Sequence, residues 1–159
     1  MDFIWSPWRY HYMASAGKTR SGCVFCVGEN PAQDRERLIV HRGAHNFVIL
    51  NLFPYTSGHF MVAPYAHLDK IDDAPSDQLG EMITLAQRGV AALRKLYNPE
   101  GFNMGMNLGL SAGAGIREHF HFHVVPRWTG DANFMSTTAE TRVLPEEIIV
   151  TYDRMTGVF

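Results

Sequence analysis

The sequence predicts an α+β fold in which one long helix packs on a five-stranded antiparallel sheet. Three observations lead to this prediction: five short β-branched or aromatic runs, short connections between most of them, and one long segment of helical periodicity. The chain has 159 residues, of which 46% are hydrophobic, and this is enough for one domain with its own core. We therefore expect a single domain over residues 1–159.

The first predicted element is an irregular aromatic arm over residues 1–22, which carries Trp5, Pro7, Trp8, Tyr10 and Tyr12. An exposed aromatic cluster of this size promotes association, so we expect the arm to pack against the core or against a partner subunit. At the other end, residues 135–159 are predicted to form a C-terminal extension, with a short helix around residues 145–155.

The sheet and the long helix are predicted between these two segments. The helix is expected from about Ser76 to Tyr97, since Pro75 and Ser76 are start signals and Asn98-Pro99 is a stop signal. Its predicted buried stripe comprises Leu79, Met82, Ile83, Ala86, Val90, Leu93 and Tyr97. The predicted strands are residues 38–41, 47–51, 60–64, 102–107 and 119–126.

Composition argues against several classes of protein. The formal net charge is −2, so no basic excess indicates binding to nucleic acid or to an anionic membrane surface. No apolar run reaches the roughly 18 residues of a membrane span, and the first residues do not resemble a signal peptide. We therefore expect a cytoplasmic protein. No disulfide framework is expected, because the two cysteines are too few and too close for one.

The last predicted strand carries the most informative pattern, His-Phe-His-Phe-His-Val-Val-Pro over residues 119–126. Side chains alternate between the two faces of a strand, so His119, His121 and His123 should share one face over about 13 Å. Phe120 and Phe122 should share the other, buried face, which would direct the histidines outward together. We interpret this row as catalytic; a structural face and a purely metal-binding face are the alternatives.

A single catalytic zinc bound by all three histidines is a less favoured hypothesis. Residues four apart on a strand are about 13 Å apart, whereas two ligands of one zinc ion can be little more than about 4 Å apart. A glycine-rich loop at residues 107–116 directly precedes the histidines. Its backbone N–H groups are able to cradle a phosphate, although a simple hairpin loop would have a similar composition.

The pair Cys23 and Cys26, in the pattern Cys-Val-Phe-Cys, is half of a tetrahedral zinc site. A redox pair is the alternative, but the sequence does not place the two cysteines at the strand-to-helix turn typical of such pairs. We therefore favour zinc, with the remaining ligands to be found elsewhere in the chain.

Together, these motifs resemble the histidine triad (HIT) superfamily of nucleotide hydrolases and transferases. The resemblance rests on the histidine run, the glycine loop and Gly-His-Phe-Met-Val-Ala-Pro at residues 58–64. The segments Pro-Arg-Trp-Thr-Gly-Asp-Ala-Asn-Phe at 126–134 and Trp-Ser-Pro-Trp-Arg at 5–9 are similar to the bacterial diadenosine tetraphosphate phosphorylase-like branch. The family implies a HIT-like fold and a homodimer in which two sheets join into one.

The resemblance also implies roles for individual residues. His121 would be the nucleophile that attacks an α-phosphate, and His123 would contact phosphate oxygens and the leaving group. His59 and His119 would complete the catalytic histidine cluster. The implied nucleotide-binding residues are Asn51, Asn107, Gly113, Ala114, Gly115 and Trp128, and the implied structural zinc ligands are Cys23, Cys26, His67 and His119. Asn51 has a second interpretation as a turn residue at a strand end.

The expected activity is cleavage of a dinucleoside polyphosphate at its AMP moiety, through a covalent nucleotidyl-histidine, with inorganic phosphate or water as acceptor. No organic cofactor is expected. Hydrolysis of nucleoside phosphoramidates is the nearest alternative, and a purine-nucleotide sensor without turnover is an alternative of another class. The chain departs from many members at Gly115 and Ile116, where the family usually has a glutamine or serine that donates to phosphate.

Overall fold

The computed structural model describes residues 22–132 and 146–159. The aromatic arm, apart from Gly22, lies outside the described residues, as do Asn133, Phe134 and the first part of the C-terminal extension. The sheet consists of β1 (Ile39–Arg42), β2 (Asn46–Leu50), β3 (Phe60–Pro64), β4 (Gly101–Gly105) and β5 (Phe122–Arg127). The helices are α1 (Asp34–Arg37), α2 (Ser76–Tyr97) and α3 (Ile148–Thr156).

The strand order is β1-β2-β3-β5-β4, and every neighbouring pair is antiparallel. Helix α2 packs on one face of the sheet against a large core that includes Val48, Phe60, Val62 and Phe120. A smaller apolar cluster, which includes Phe25, Ile49 and Met61, covers part of the opposite face. The predicted α+β fold with a five-stranded antiparallel sheet is confirmed.

Helix α2 spans the predicted residues, and Asn98 ends it in the left-handed conformation at φ +45°. The prediction for Ile83 is wrong, because its side chain is 55% exposed. The buried stripe instead passes through Met82, Ala86 and Gly89. A Cβ atom at Gly89 would lie 2.2 Å from the Cζ atom of Phe60, so this glycine allows the helix to approach the sheet closely.

Strand β5 begins at Phe122, three residues later than predicted. The residues before it form other hydrogen bonds: the Phe120 N–H donates to the Leu68 carbonyl, and the His121 ring bonds to the His119 carbonyl. The predicted alternation nevertheless persists, with Phe120 and Val124 in the core under α2 and the histidine side chains on the opposite face.

The expectation that the histidine face points outward is wrong for two of its members. His119 is fully buried and His121 is 6% exposed, because the ring of Phe25 covers both at centroid distances of 5.4 and 4.6 Å. The short helix expected near the C-terminus is present as α3, whose Tyr152 and Met155 are buried in the core. None of the helices in the described residues is both long and apolar enough to cross a membrane.

Candidate active site and metal cluster

A cleft of about 870 Å³ lies over the histidine face. One wall is formed by residues 22–26 and the end of α1, and another by the chain that follows β2. The glycine loop between β4 and β5 completes it. The predicted site residues at the cleft are Cys23, Cys26, Asn51, Asn107, Gly113, Gly115, His121 and His123.

The hydrogen bonds of His121 assign the protonation of its ring. Its Nδ1 atom lies 3.0 Å from the carbonyl oxygen of His119, and because a carbonyl only accepts, Nδ1 carries the proton and donates. The Nε2 atom therefore keeps its lone pair in the neutral ring. Burial lowers the pKa of His121, which favours this neutral form at pH 7. The site thus presents an oriented, unprotonated nitrogen.

The ring of His123 has the opposite tautomer. The Tyr55 backbone N–H donates to His59 Nδ1 at 3.1 Å, so the neutral His59 ring carries its proton on Nε2. His59 Nε2 then donates to His123 Nδ1 at 3.0 Å. The proton of the neutral His123 ring is therefore on Nε2. His121 and His123, whose ring centroids are 4.8 Å apart, can supply a nucleophile and a hydrogen-bond donor side by side.

The pKa of His123 predicts a pH dependence of stability. Burial, together with the neighbouring His121, lowers the pKa of His123 to about 4 from an ordinary value near 6.5. Between these two values the unfolded chain binds a proton that the folded chain does not, so stability is lost as the pH falls from about 6.5 to about 4. His123 alone should contribute up to about 3 kcal/mol to this loss.

Denaturant unfolding of the wild type and of His123→Gln at pH 7.5 and pH 5 measures this effect. His123→Gln removes the buried imidazole at position 123, so the difference between the two pH dependences measures its contribution, including its coupling to the neighbouring His121. We expect the variant to lose less free energy of unfolding than the wild type on acidification. Equal losses in both proteins would contradict the lowered pKa.

The glycine loop lines the cleft with Gly113 and Gly115; the Gly113 N–H donates to the Leu110 carbonyl at 3.0 Å, whereas no hydrogen bond to another described residue occupies the Gly115 N–H. Gly109 and Gly113 adopt positive φ angles of +78° and +84°, on either side of a short 3-10 turn at Leu110–Ala112. A side chain would be strained in these conformations. The Ile116 side chain packs against the smaller apolar cluster and has no hydrogen-bond donor. At this position, where a family glutamine or serine would donate from its side chain, the loop therefore offers only main-chain donors.

Asn51 follows β2 directly, and the structure is consistent with both interpretations of it. Its Oδ1 atom accepts a hydrogen bond from the Phe53 N–H at 3.0 Å, which is the turn contact, and its Nδ2 atom lies 3.3 Å from His59 Nδ1.

Two predicted nucleotide-binding residues do not line the cleft. Ala114 is buried within its loop, and the Trp128 indole donates to the Tyr97 carbonyl at 3.4 Å, at the end of α2.

Four side chains from distant parts of the chain form a cluster next to the cleft: Cys23, Cys26, His67 and His119. Their ligand atoms all lie within 4.8 Å of one another. The closest approaches are 3.2 Å from Cys26 Sγ to His67 Nδ1 and 3.5 Å from Cys23 Sγ to His119 Nδ1. Neighbouring ligands of a tetrahedral zinc ion are about 3.5 Å apart, so this donor set fits zinc.

The orientation of His119 supports the same fit. Its Nε2 atom donates to the Pro64 carbonyl at 2.8 Å, which leaves the Nδ1 lone pair directed at the cysteines. This is the arrangement by which outer hydrogen bonds orient metal-binding histidines. The side chain of His119 thus lies in the cluster, whereas its carbonyl holds His121. Within the described residues, the three histidines of the run do not form a metal site of their own.

Sequence reasoning missed several residues of the site, including Tyr55. Phe25 covers the histidine face, and Glu36 and Arg37 line the cleft from the end of α1. Phe25 lies between the two cysteines, and its position there was a usable signal once the cysteines were expected beside the histidine strand. Glu36 and Arg37 lie in a polar run with no distinctive spacing, so no sequence signal identifies them.

Comparisons with known proteins agree with this geometry. Residues 33–130 match the family model described as HIT domain. The AP-4-A phosphorylase of Mycobacterium tuberculosis is 38% identical over 149 residues, which cover 90% of this chain and 76% of that protein. A HIT-like protein of Methanocaldococcus jannaschii is 32% identical over 130 residues, which cover 80% of this chain and 95% of that protein.

Solved structures of histidine triad proteins are also similar to this chain. The crystal structure of a zinc-bound histidine triad family protein from Mycobacterium smegmatis superposes with a TM-score of 0.66 at 27% identity. The match covers 86% of this chain and 92% of that one.

Proposed function

This chain belongs to the HIT domain family, and from that membership we propose that it cleaves dinucleoside polyphosphates, with diadenosine tetraphosphate as substrate. The similarity to an AP-4-A phosphorylase over 90% of the chain supports this substrate. The observation that carries the proposal is the His121 ring, whose Nδ1–H is held by the His119 carbonyl at 3.0 Å. The Nε2 lone pair is thereby available to an electrophile in the cleft.

In the proposed reaction, His121 Nε2 attacks the α-phosphorus of one adenosine unit. A bond forms between nitrogen and phosphorus, and the bond from phosphorus to the bridging oxygen of the polyphosphate breaks. The leaving group is ATP, and the AMP moiety remains on His121. His123 Nε2–H donates to the phosphate and leaving-group oxygens, and the backbone N–H of Gly115, which lines the cleft, supports the developing charge.

The second step transfers the AMP moiety from His121 to an acceptor. Attack by inorganic phosphate yields ADP and frees His121 for another turnover, whereas attack by water yields AMP. We propose phosphate as the acceptor, because the relative with 38% identity is named a phosphorylase. The Pro-Arg-Trp signature that begins at Pro126 supports the same branch.

We further propose that Cys23, Cys26, His67 and His119 hold a structural zinc ion. When bound, zinc would cross-link the segment that carries Phe25 to the residues that lead into β5. His119 is the common element, because its ring lies in the cluster and its carbonyl orients His121. The ion would therefore stabilise the active site without contacting the substrate.

Dimerisation through β4 is part of the proposal. Among the described residues, β4 pairs with β5 only, as an edge strand. Pro126 has no N–H, so its partner Phe102 belongs to a pair without ladder hydrogen bonds, and by alternation the N–H of Met104 also points to the open edge. If the chain forms this dimer, light scattering should give twice the mass of one chain. Met104→Pro should halve the measured mass, whereas the control Met104→Ala should leave it unchanged. A wild type with the mass of one chain would contradict this.

Product analysis tests the function. Diadenosine tetraphosphate is incubated with the protein, with and without inorganic phosphate, and the nucleotides are separated by ion exchange. We expect ATP and ADP in equal amounts, and only when phosphate is present. ATP and AMP without phosphate would show a hydrolase instead. Binding of AMP with no products at all would favour a nucleotide sensor and contradict the proposed activity.

A further inference from the structure

Glu36 and Arg37 are charged residues at the cleft that the proposed reaction does not use. They are the last two residues of α1, and both line the cleft. Their neighbours are engaged elsewhere, since Asp34 pairs with Arg42 and Arg35 with Asp153. The side chains of Glu36 and Arg37 have no hydrogen bond or ion pair with any of the described residues, so both remain available to a ligand.

Main-chain hydrogen bonds place the end of α1 next to Asn51. Leu38 ends the helix at φ +61°, and its carbonyl accepts the Leu50 N–H at 3.0 Å. The Asn51 N–H in turn donates to the His59 carbonyl at 3.0 Å. Neighbouring strands are about 4.8 Å apart, so Asn51 lies between the end of α1 on one side and His59 on the other.

The histidines, Asn51 and the end of α1 follow one another across the cleft in the same order as the phosphate, the ribose ring and the ribose hydroxyls of a nucleotide. His121 and His123 mark the position of the α-phosphate, and the ribose follows at Asn51. The sugar hydroxyls would then reach the end of α1. The Asn51 carboxamide already contacts the Phe53 N–H and the His59 ring. A carboxylate is a stronger acceptor for hydroxyl donors than an amide, because bonds to ionised acceptors are charge-assisted.

We propose that Glu36 accepts a hydrogen bond from the ribose 2′-hydroxyl of the bound nucleotide and thereby selects ribonucleotides over 2′-deoxyribonucleotides. An acidic side chain serves the same purpose in dinucleotide-binding folds. Arg37 lies beside it and offsets the repulsion between the carboxylate and the phosphate. This inference rests on the proposed function and specifies the sugar recognised at the same site.

Calorimetric titration with AMP and with 2′-deoxy-AMP tests the inference. The wild type should bind AMP about tenfold to hundredfold more tightly, which is the range for one charge-assisted hydrogen bond. Glu36→Ala should lose this preference by weakening AMP binding alone, with 2′-deoxy-AMP bound as before. Glu29→Ala is the matched control, because Glu29 is exposed and does not line the cleft, and it should keep the wild-type preference.

The results separate this inference from the proposed function. A wild type that binds both nucleotides equally, or a Glu36→Ala variant that keeps the preference, would overturn the role of Glu36 and leave the cleavage reaction standing. Equal weakening of both nucleotides in Glu36→Ala would also overturn it, since the residue would then act on the whole site. A wild type that binds neither nucleotide would also overturn the role of Glu36, whereas the cleavage reaction is overturned only if diadenosine tetraphosphate yields no products.

Discussion

His121→Ala is expected to lower the rate of diadenosine tetraphosphate cleavage by about 10⁴-fold or more, because the substitution removes the atom that forms the new bond to phosphorus. His123→Ala should cost less, about 10²–10³-fold, since it removes one donor to the transferring group. Initial rates of ATP release measure both. Circular dichroism of each variant checks that the fold is retained.

Trapping the covalent intermediate makes this experiment specific. The protein is mixed with substrate labelled at the α-phosphates, quenched in base and tested for label, because a phosphorus–nitrogen bond to histidine survives base and is cleaved by acid. The wild type should carry acid-labile label and His121→Ala should carry none. His45→Ala is the matched control, because the side chain of His45 is 49% exposed and does not line the cleft. Label or activity that persists in His121→Ala would refute the nucleophile assignment.

Cys26→Ser is expected to abolish zinc binding and to lower the free energy of unfolding by about 4 kcal/mol or more. Metal binding contributes directly to folding, and the cluster joins segments as far apart as Cys23 and His119. Atomic spectroscopy should find one zinc per chain in the wild type and none in the variant. Denaturant unfolding measures the loss of stability.

Val24→Ser is the matched control for this substitution. Val24 lies in the same segment, is 47% exposed and offers no metal ligand, so its replacement should preserve both the zinc and most of the stability.

The activity of Cys26→Ser should fall as well. Cys26 shares the cluster with His119, and the carbonyl of His119 orients His121. A wild type without bound zinc, or a variant as stable as the wild type, would contradict the structural metal site.

Local patterns predicted much of the fold correctly. The limits of α2 followed from helical periodicity and from the stop at Asn98, and the alternation around His121 followed from the two-residue period of a strand. The exposure of Ile83 did not follow, because the rotation of α2 is set by the approach of Gly89 to Phe60 across the core. Nor did the late start of β5, which depends on hydrogen bonds to residues distant in sequence, such as Leu68.

The sequence by itself determined the α+β class, the row of three histidines on one face and the closely spaced cysteine pair, because these depend on residue identity and on short-range periodicity. The tertiary structure alone decided which nitrogen of His121 and of His123 carries a proton, that the ring of His119 turns to the cysteines, and that Glu36 reaches the cleft. Each of these is set by a partner brought close only by folding: a carbonyl, another ring or a neighbouring strand. The orientation of a side chain depends on such partners, and spacing along the chain does not encode them.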